Sequence, residues 1–292
     1  MDIELDTDAP AADGSDRATE RELVARAVAG DNAAISDVVR RLQDPLYRLA
    51  LRMVWRPAEA EDATQEILLR VVGNLATWRG EAKLLTWAYR VGVNYLSNLR
   101  RQTPQEAAHL SLETYREGLA DGLAAEDYRG PEAELLSAEV RLNCSQAMLQ
   151  CLARDERIAF VLGEVFELSS TDAAWILDVT APAYRKRLQR AKKRIGAFLN
   201  STCGIANPEA FCRCSRRVDK AIEIGRIDPR EPRFVKHPIS PGGRTVTEAE
   251  RQMIRLHDAA GVLRAHPDYA APQAKMDAIT GLLNSGRFPM LD

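Results

Sequence analysis

The sequence predicts an all-α protein, on three observations. No run of alternating β-branched residues reads as a strand. Apolar residues recur at helical spacing through two long blocks, 21–101 and 133–199. Within the second block, Tyr184, Leu188, Ala191, Ile195 and Phe198 fall on one helical face. The expected layout is two small helical domains joined by a flexible acidic linker, followed by a mostly helical C-terminal extension. Residues 1–20 read as a disordered acidic tail, 21–101 as the first domain, 102–132 as the linker, 133–199 as the second domain and 200–292 as the extension.

Each segment has its reason. The N-terminus, MDIELDTDAPAADGSDRATE, is acidic and rich in small residues, and it has the character of neither a signal nor a transit peptide. The linker is bounded by Pro104 and Pro131 and holds Gly118, Gly122 and Gly130. Its acids, among them Glu106, Glu113, Glu117, Asp121, Glu126 and Asp127, outweigh Arg116 and Arg129, which predicts weak helix at most. The extension opens on Cys, Pro and Gly and regains helical spacing near Thr247 and near Pro272.

Composition bounds the function. With 46% hydrophobic residues in 292, the chain can bury a sizeable core, and a net charge of −2 excludes a polycation. Any nucleic-acid binding must therefore be local. No apolar run approaches the ~20 residues that span a bilayer, so membrane insertion is not expected. Five cysteines without an export signal point to the reducing cytoplasm.

The local charge is concentrated in PAYRKRLQRAKKRIGAFL, 182–199, with seven cations between Arg185 and Arg194 and no acid. Thr180 can cap this helix, and Pro182 suits its first turn. Like pairs such as Lys186–Arg190 and Arg190–Arg194 disfavour the helix by a few tenths of a kcal/mol each, and no glutamate within it relieves them. A solvated basic face is one reading. The preceding LSSTDAAWILDV shifts the balance. Ser169 and Asp172 resemble a capping box, Ala173, Ala174, Ile176 and Leu177 form a short apolar face, and Asp178–Thr180 leaves room for a tight turn. A short helix, a turn and a cationic second helix make a helix-turn-helix.

A second constellation lies at Glu61–Arg101. One helix carries a polar patch at Asp62, Gln65 and Glu66 beside apolar Ile67, Leu68, Val71, Val72 and Leu75. After it, Trp78, Trp87, Tyr89 and Tyr95 interleave with Arg79, Lys83, Arg90, Arg100 and Arg101. At least two of these aromatics are expected in the core. The mixture also suits single-stranded nucleic acid, whose bases stack on aromatics for ~1–3 kcal/mol each.

These two blocks, in this order and spacing, resemble a bacterial RNA polymerase sigma factor of the sigma-70 family, extracytoplasmic-function (ECF) type. DATQEILLRVVGNLATWRGEAKLLTWAYRVGVNYLSNLRR is similar to region 2, and LARDERIAFVLGEVFELSSTDAAWILDVTAPAYRKRLQRAKKRIGAFL to region 4. The resemblance covers 21–199 and implies a factor that binds core RNA polymerase, recognises −35 and −10 promoter elements and promotes transcription initiation. It implies that Asp62, Gln65 and Glu66 dock on the polymerase clamp. Trp87, Arg90 and Asn94 would meet the −10 element, and the Arg79–Lys83 loop would capture a flipped base. Arg185, Lys186, Arg187 and Arg190 would read the −35 element. Promoter DNA and core polymerase are the implied partners, with an anti-sigma protein as a further candidate. Leu84 and Leu85 depart from the family's polar–aromatic pair, and Pro182 and Tyr184 from its small or β-branched residues. These departures bear on promoter sequence, not on class.

The alternative is a helix-turn-helix regulator acting without core polymerase, which leaves the Asp62–Arg101 block unexplained. An enzyme has thin support. Cys144 and Cys151 lie seven apart on an apolar face, His109, His237, His257 and His266 lack H-E-x-x-H spacing, and no Gly-rich phosphate loop or nucleophile elbow occurs. No cofactor is required. In the extension, however, Cys203, Cys212 and Cys214 lie close in sequence, and soft thiolates suit Zn²⁺ or Cu(I), with His237 as a candidate fourth ligand. Arg213, Arg216 and Arg217 are expected to favour the thiolates.

Overall fold

The computed structural model describes residues 11–99, 111–256 and 259–284. Arg100, Arg101, His109, His257 and the first part of the linker lie outside the described residues. Thirteen α-helices and no strand occur among them, as the missing alternation predicts.

The first bundle holds α1 (Ala11–Val28), α2 (Asn32–Val54), α3 (Pro57–Gly73) and α4 (Leu84–Asn98). Asp31 caps α2, its Oδ1 accepting from the amides of Ala33 and Ala34 at 2.9 and 3.2 Å. Pro57 opens α3, where a missing N–H is harmless. Leu42, Leu46 and Leu49 of α2 are buried with Ile67, Leu68 and Val71 of α3. The crossing of α4 over them is close. A Cβ on Gly92 would stand 3.3 Å from Leu49 Cδ2 and 3.4 Å from Ile67 Cγ2, so glycine lets the backbones approach. Of the disordered tail expected over 1–20, residues 1–10 lie outside the described residues, and the expectation is corrected over Ala11–Glu20, which is helical and continuous with the rest of α1. Glu20 accepts from the Leu84 amide at 3.0 Å, which ties this end of α1 to the start of α4.

The linker also needs correction. α5 (Leu112–Ala120) is capped by Ser111 and buries Tyr115 and Leu119, with Tyr115 stacked on Phe198 at 5.9 Å. Beyond it, the amides of Ala124 and Tyr128 donate to the carbonyls of Arg216 and Ser215. The acids and glycines masked a two-residue apolar face that has a partner elsewhere in the chain.

The second domain holds α6 (Ala133–Gln150), α7 (Arg154–Phe160) running into a π-turn at Val161–Val165, α8 (Ser170–Ile176) and α9 (Ala181–Thr202). Tyr184, Ala191, Ile195 and Phe198 are buried on one face of α9. The Tyr184 hydroxyl donates to the Ala159 carbonyl at 3.2 Å.

The extension adds α10 (Val218–Glu223), α11 (Val246–Leu256), α12 (Ala259–Arg264) and α13 (Gln273–Asn284). It is bound to both domains. Glu139 of α6, 1% exposed, accepts from the amides of Arg233, Phe234 and Val235. Asp44 of α2 accepts from Ser240 Oγ at 2.6 Å and the Ala271 amide at 2.9 Å. Arg264 bonds the Glu164 carbonyl and pairs with Glu167 at 3.2 Å. His266 Nε2 lies 2.6 Å from Ser145 Oγ.

Candidate nucleic-acid interface

Three surfaces carry the expected site residues. The first is on α3, where Asp62 is exposed and Gln65 and Glu66 are half-buried. Glu66 pairs with Arg70 one turn on, at 2.8 Å. Asp62 is not open to solvent alone. Lys275 Nζ of α13 lies 2.7 Å from its Oδ1 and 3.6 Å from Glu61 Oε2.

The second surface is on α4 and the loop before it. Trp87, Arg90 and Asn94 stand at i, i+3 and i+7, one face of the helix. Trp78 and Tyr89 are buried, while Trp87 and Tyr95 are half-buried at the margin. The Trp78 indole donates to the Ala82 carbonyl at 3.1 Å, closing the loop that exposes Arg79 and Lys83. Gly80 in that loop has φ +72°, and a Cβ there would meet the Arg21 side chain at 2.7 Å. The left-handed backbone is what favours glycine here, since the Arg21 side chain could shift.

The third surface is α9. The helix-turn-helix forms as its caps predict. Ser169 accepts from the Asp172 amide at 3.0 Å, and Thr180 from Ala183 at 3.3 Å. Asp178 takes the left-handed conformation of the turn, φ +53°, which Asp tolerates better than most residues. Arg185 and Lys186 are exposed near the N-terminal end of α9 and share a face with Gln189 and Lys193. Arg187 lies 3.9 Å from Asp155. The helix does not stand unrelieved. Glu156 of α7 accepts from Arg190 at 3.2 Å and Arg194 at 2.6 Å, and Glu164 pairs with Lys192 at 2.8 Å. Local spacing could not reveal these acids, since they approach from another helix.

The second and third surfaces meet. Arg90 lies over the Trp175 ring at 4.8 Å, donates to the Trp175 carbonyl at 3.0 Å and pairs with Asp178 at 3.1 Å. Trp175 and Asp178 were therefore missed as partners of a site residue. An aromatic beside the short apolar face of α8 was the available signal. Behind this contact the domain boundary is mixed, with Tyr89 stacked on Phe166 at 5.4 Å and buried polar groups beside that seam. Arg52 donates to Gln146 Oε1 at 3.1 Å, and Arg157, 1% exposed, donates to the carbonyls of Met53, Leu149, Gln150 and Leu152. Gln146 Nε2 and Gln150 Oε1 are buried without a partner.

The candidate metal ligands Cys203, Cys212, Cys214 and His237 are not all brought together. Among the described residues no three His, Cys, Asp or Glu side chains are disposed to hold an ion. Cys203 and Cys212 form a backbone bridge, but His237 is engaged elsewhere, stacked on Tyr47 at 5.1 Å. The arginines do not win at the thiols. Burial pushes Cys212 up to about 12 and Cys214 up to about 11, outweighing Arg213 and Arg217 at the first and Arg141 at the second. Burial also pushes Cys151 up to about 11 and Cys144 well above the usual thiol range, the behaviour of packing residues.

Two family models match the chain, Sigma-70 region 2 over residues 24–104 and Sigma-70, region 4 over residues 142–195. The ECF RNA polymerase sigma-E factor of Haemophilus influenzae is 31% identical over 185 residues, 62% of this chain and 95% of that protein. The RNA polymerase sigma-H factor of Pseudomonas aeruginosa is 29% identical over 184 residues, 62% of this chain and 93% of that protein. A solved structure of the sigma factor RpoE in complex with the anti-sigma factor NepR from Bartonella quintana aligns with a TM-score of 0.37 and 17% identity, covering 56% of this chain and 94% of that one.

Proposed function

Because the chain belongs to the sigma-70 family of RNA polymerase sigma factors, in its ECF subfamily, we propose a division of its work among the three surfaces described above. The protein binds core RNA polymerase and promoter DNA and promotes transcription initiation. In this reading Asp62, Gln65 and Glu66 on α3 dock on polymerase, where exposed carboxylates steer a basic partner. Trp87, Arg90 and Asn94 meet the −10 element, and Arg79 and Lys83 flank the captured base. Unstacking that base costs a few kcal/mol, which a stacking surface and cations can return. Arg185, Lys186, Arg187 and Arg190 face the −35 element in the major groove.

The observation that carries the reading is the pairing of α9, cationic along its exposed face, with an α4 face bearing Trp87, Arg90 and Asn94. A regulator acting alone would need only the first. The protein supplies specificity to polymerase and has no catalytic activity of its own. It acts in the cytoplasm, where its template lies, and no described helix is long and apolar enough to cross a membrane.

Reconstituted run-off transcription tests this. Added to core enzyme, the folded protein is expected to yield defined start sites on a genomic promoter library. Absence of any start-specific product would overturn the reading. Retention of the protein on immobilised core polymerase separates it from a stand-alone DNA-binding regulator.

A further inference from the structure

The geometry points to the C-terminal extension as an intramolecular clasp: it holds the two domains closed and seats α13 on the polymerase-docking face of α3, so that polymerase and α13 compete for Asp62. The inference rests on the reading of Asp62 as a docking residue.

Three observations converge on it. The first is the occupant. Met276, Ile279 and Leu283 of α13, at i, i+3 and i+7, are 2%, 4% and 7% exposed, and the helix packs on α2 and α3. Lys275 then sets a cation on Asp62 and Glu61. An acidic surface that serves a basic partner is already holding a basic group. Lys275 and Asp62 are both partly exposed, so the pair is weak and exchangeable.

The second is what the rest of the extension grips. It bonds the first domain at Asp44 and the second at Ser145 and Glu164. The boundary it spans is mixed, with Tyr89 stacked on Phe166 at 5.4 Å beside buried polar groups of which two amide atoms, Gln146 Nε2 and Gln150 Oε1, are unsatisfied. Within that closure Arg90 is spent on Trp175 and Asp178 rather than offered to DNA.

The third is reach. Elements centred near −10 and −35 are about 25 base pairs apart, or roughly 85 Å at about 3.4 Å each. A compact chain of 292 residues has a radius of gyration near 19 Å and is about 50 Å across. The closed molecule cannot touch both elements, so the domains must part and the extension must release at least one of them.

The test uses the full chain. Affinity for core polymerase is measured for wild type, Lys275→Glu, Met276→Asp/Ile279→Asp and Asp62→Lys, and hydrogen exchange over 273–284 is followed with and without core. Lys275→Glu replaces attraction with repulsion at the surface and is expected to tighten binding about threefold to tenfold. The double variant, which puts charge under α13, is expected to tighten it at least about tenfold. Protection over 273–284 is expected to fall when core binds. Asp62→Lys is expected to abolish binding. If Asp62→Lys binds as wild type does, the docking reading fails and takes the competition with it. If Asp62→Lys loses binding while neither α13 variant binds more tightly and 273–284 stays protected on core, the docking face stands and the clasp is overturned.

Discussion

Glu156 accepts from Arg190 and Arg194 at once, and this has a measurable consequence for DNA binding. Both arginines are about half exposed, so the pairs are partly screened. Glu156→Gln keeps the shape and removes the charge. It is expected to lower stability by about 1 kcal/mol and to leave α9 more positive. Duplex affinity should then rise and the salt dependence of binding steepen by about one unit, which thermal melts and a salt titration check. Asp178 offers a second test. Asp178→Val forces a β-branched residue into the left-handed region and should cost about 1–2 kcal/mol, whereas Asp178→Gly should be close to neutral, since the Arg90 pair it removes is exposed on the Asp side. Residues whose role is local were legible in the sequence. Ser169 caps α8, Thr180 caps α9 and Pro182 lies in the first turn of α9, as their spacing predicts. Glu156 was not legible, because its partners lie 34 and 38 positions away and no periodicity connects them.

Among the elements, helices with a continuous apolar stripe or a clear cap were read correctly, and α5, with a short stripe among acids and glycines, was not. α9 shows its face over four turns. α5 shows only Tyr115 and Leu119 among acids and glycines, and the ring that completes its packing, Phe198, belongs to α9. The thiolate character expected of the cysteine loop between α9 and α10 is not found, for a related reason. Neighbouring arginines are visible in sequence, but burial is not, and at Cys212 and Cys214 burial is the larger effect. These thiols should therefore stay protonated at neutral pH. In the native protein Cys212 should be alkylated by iodoacetamide at least about a hundredfold more slowly than in the unfolded chain, since the thiolate is the nucleophile. Mass spectrometry after timed quenching reads this out. Metal analysis of protein purified without chelator is expected to give no stoichiometric zinc or copper. An ion lost in the Cys212→Ser/Cys214→Ser double variant would reverse that expectation.

For the whole molecule, the two domains were legible and their closure was not, because it depends on pairs such as Arg90–Asp178 and Lys275–Asp62, which lie 88 and 213 positions apart. The same closure makes stability depend on pH through two histidines of the extension. His266 is 3% exposed, bonded to Ser145 Oγ and close to the cations Arg52 and Arg244. Burial first, and those cations second, hold its imidazolium form well below the ordinary range. His237, stacked on Tyr47, is lowered by burial, with the Ala270 carbonyl opposing. Both rings thus take up a proton less readily in the folded chain than in the unfolded chain, where each titrates near pH 6.5. Above that pH the two states bind equal numbers of protons and the full stability is present. As pH falls below about 6.5 the unfolded state takes up protons that the folded state refuses, and stability drops by up to about 1.4 kcal/mol per pH unit for each ring until its folded value is reached. The fall should be felt first in the extension, which carries both rings. Limited proteolysis between 238 and 272 should accelerate from pH 7.5 to pH 5.5, and urea midpoints should fall over the same range. His266→Gln should lower stability at pH 7.5 and flatten the decline below pH 6.5. An unchanged slope in that variant would show that the acid sensitivity arises elsewhere.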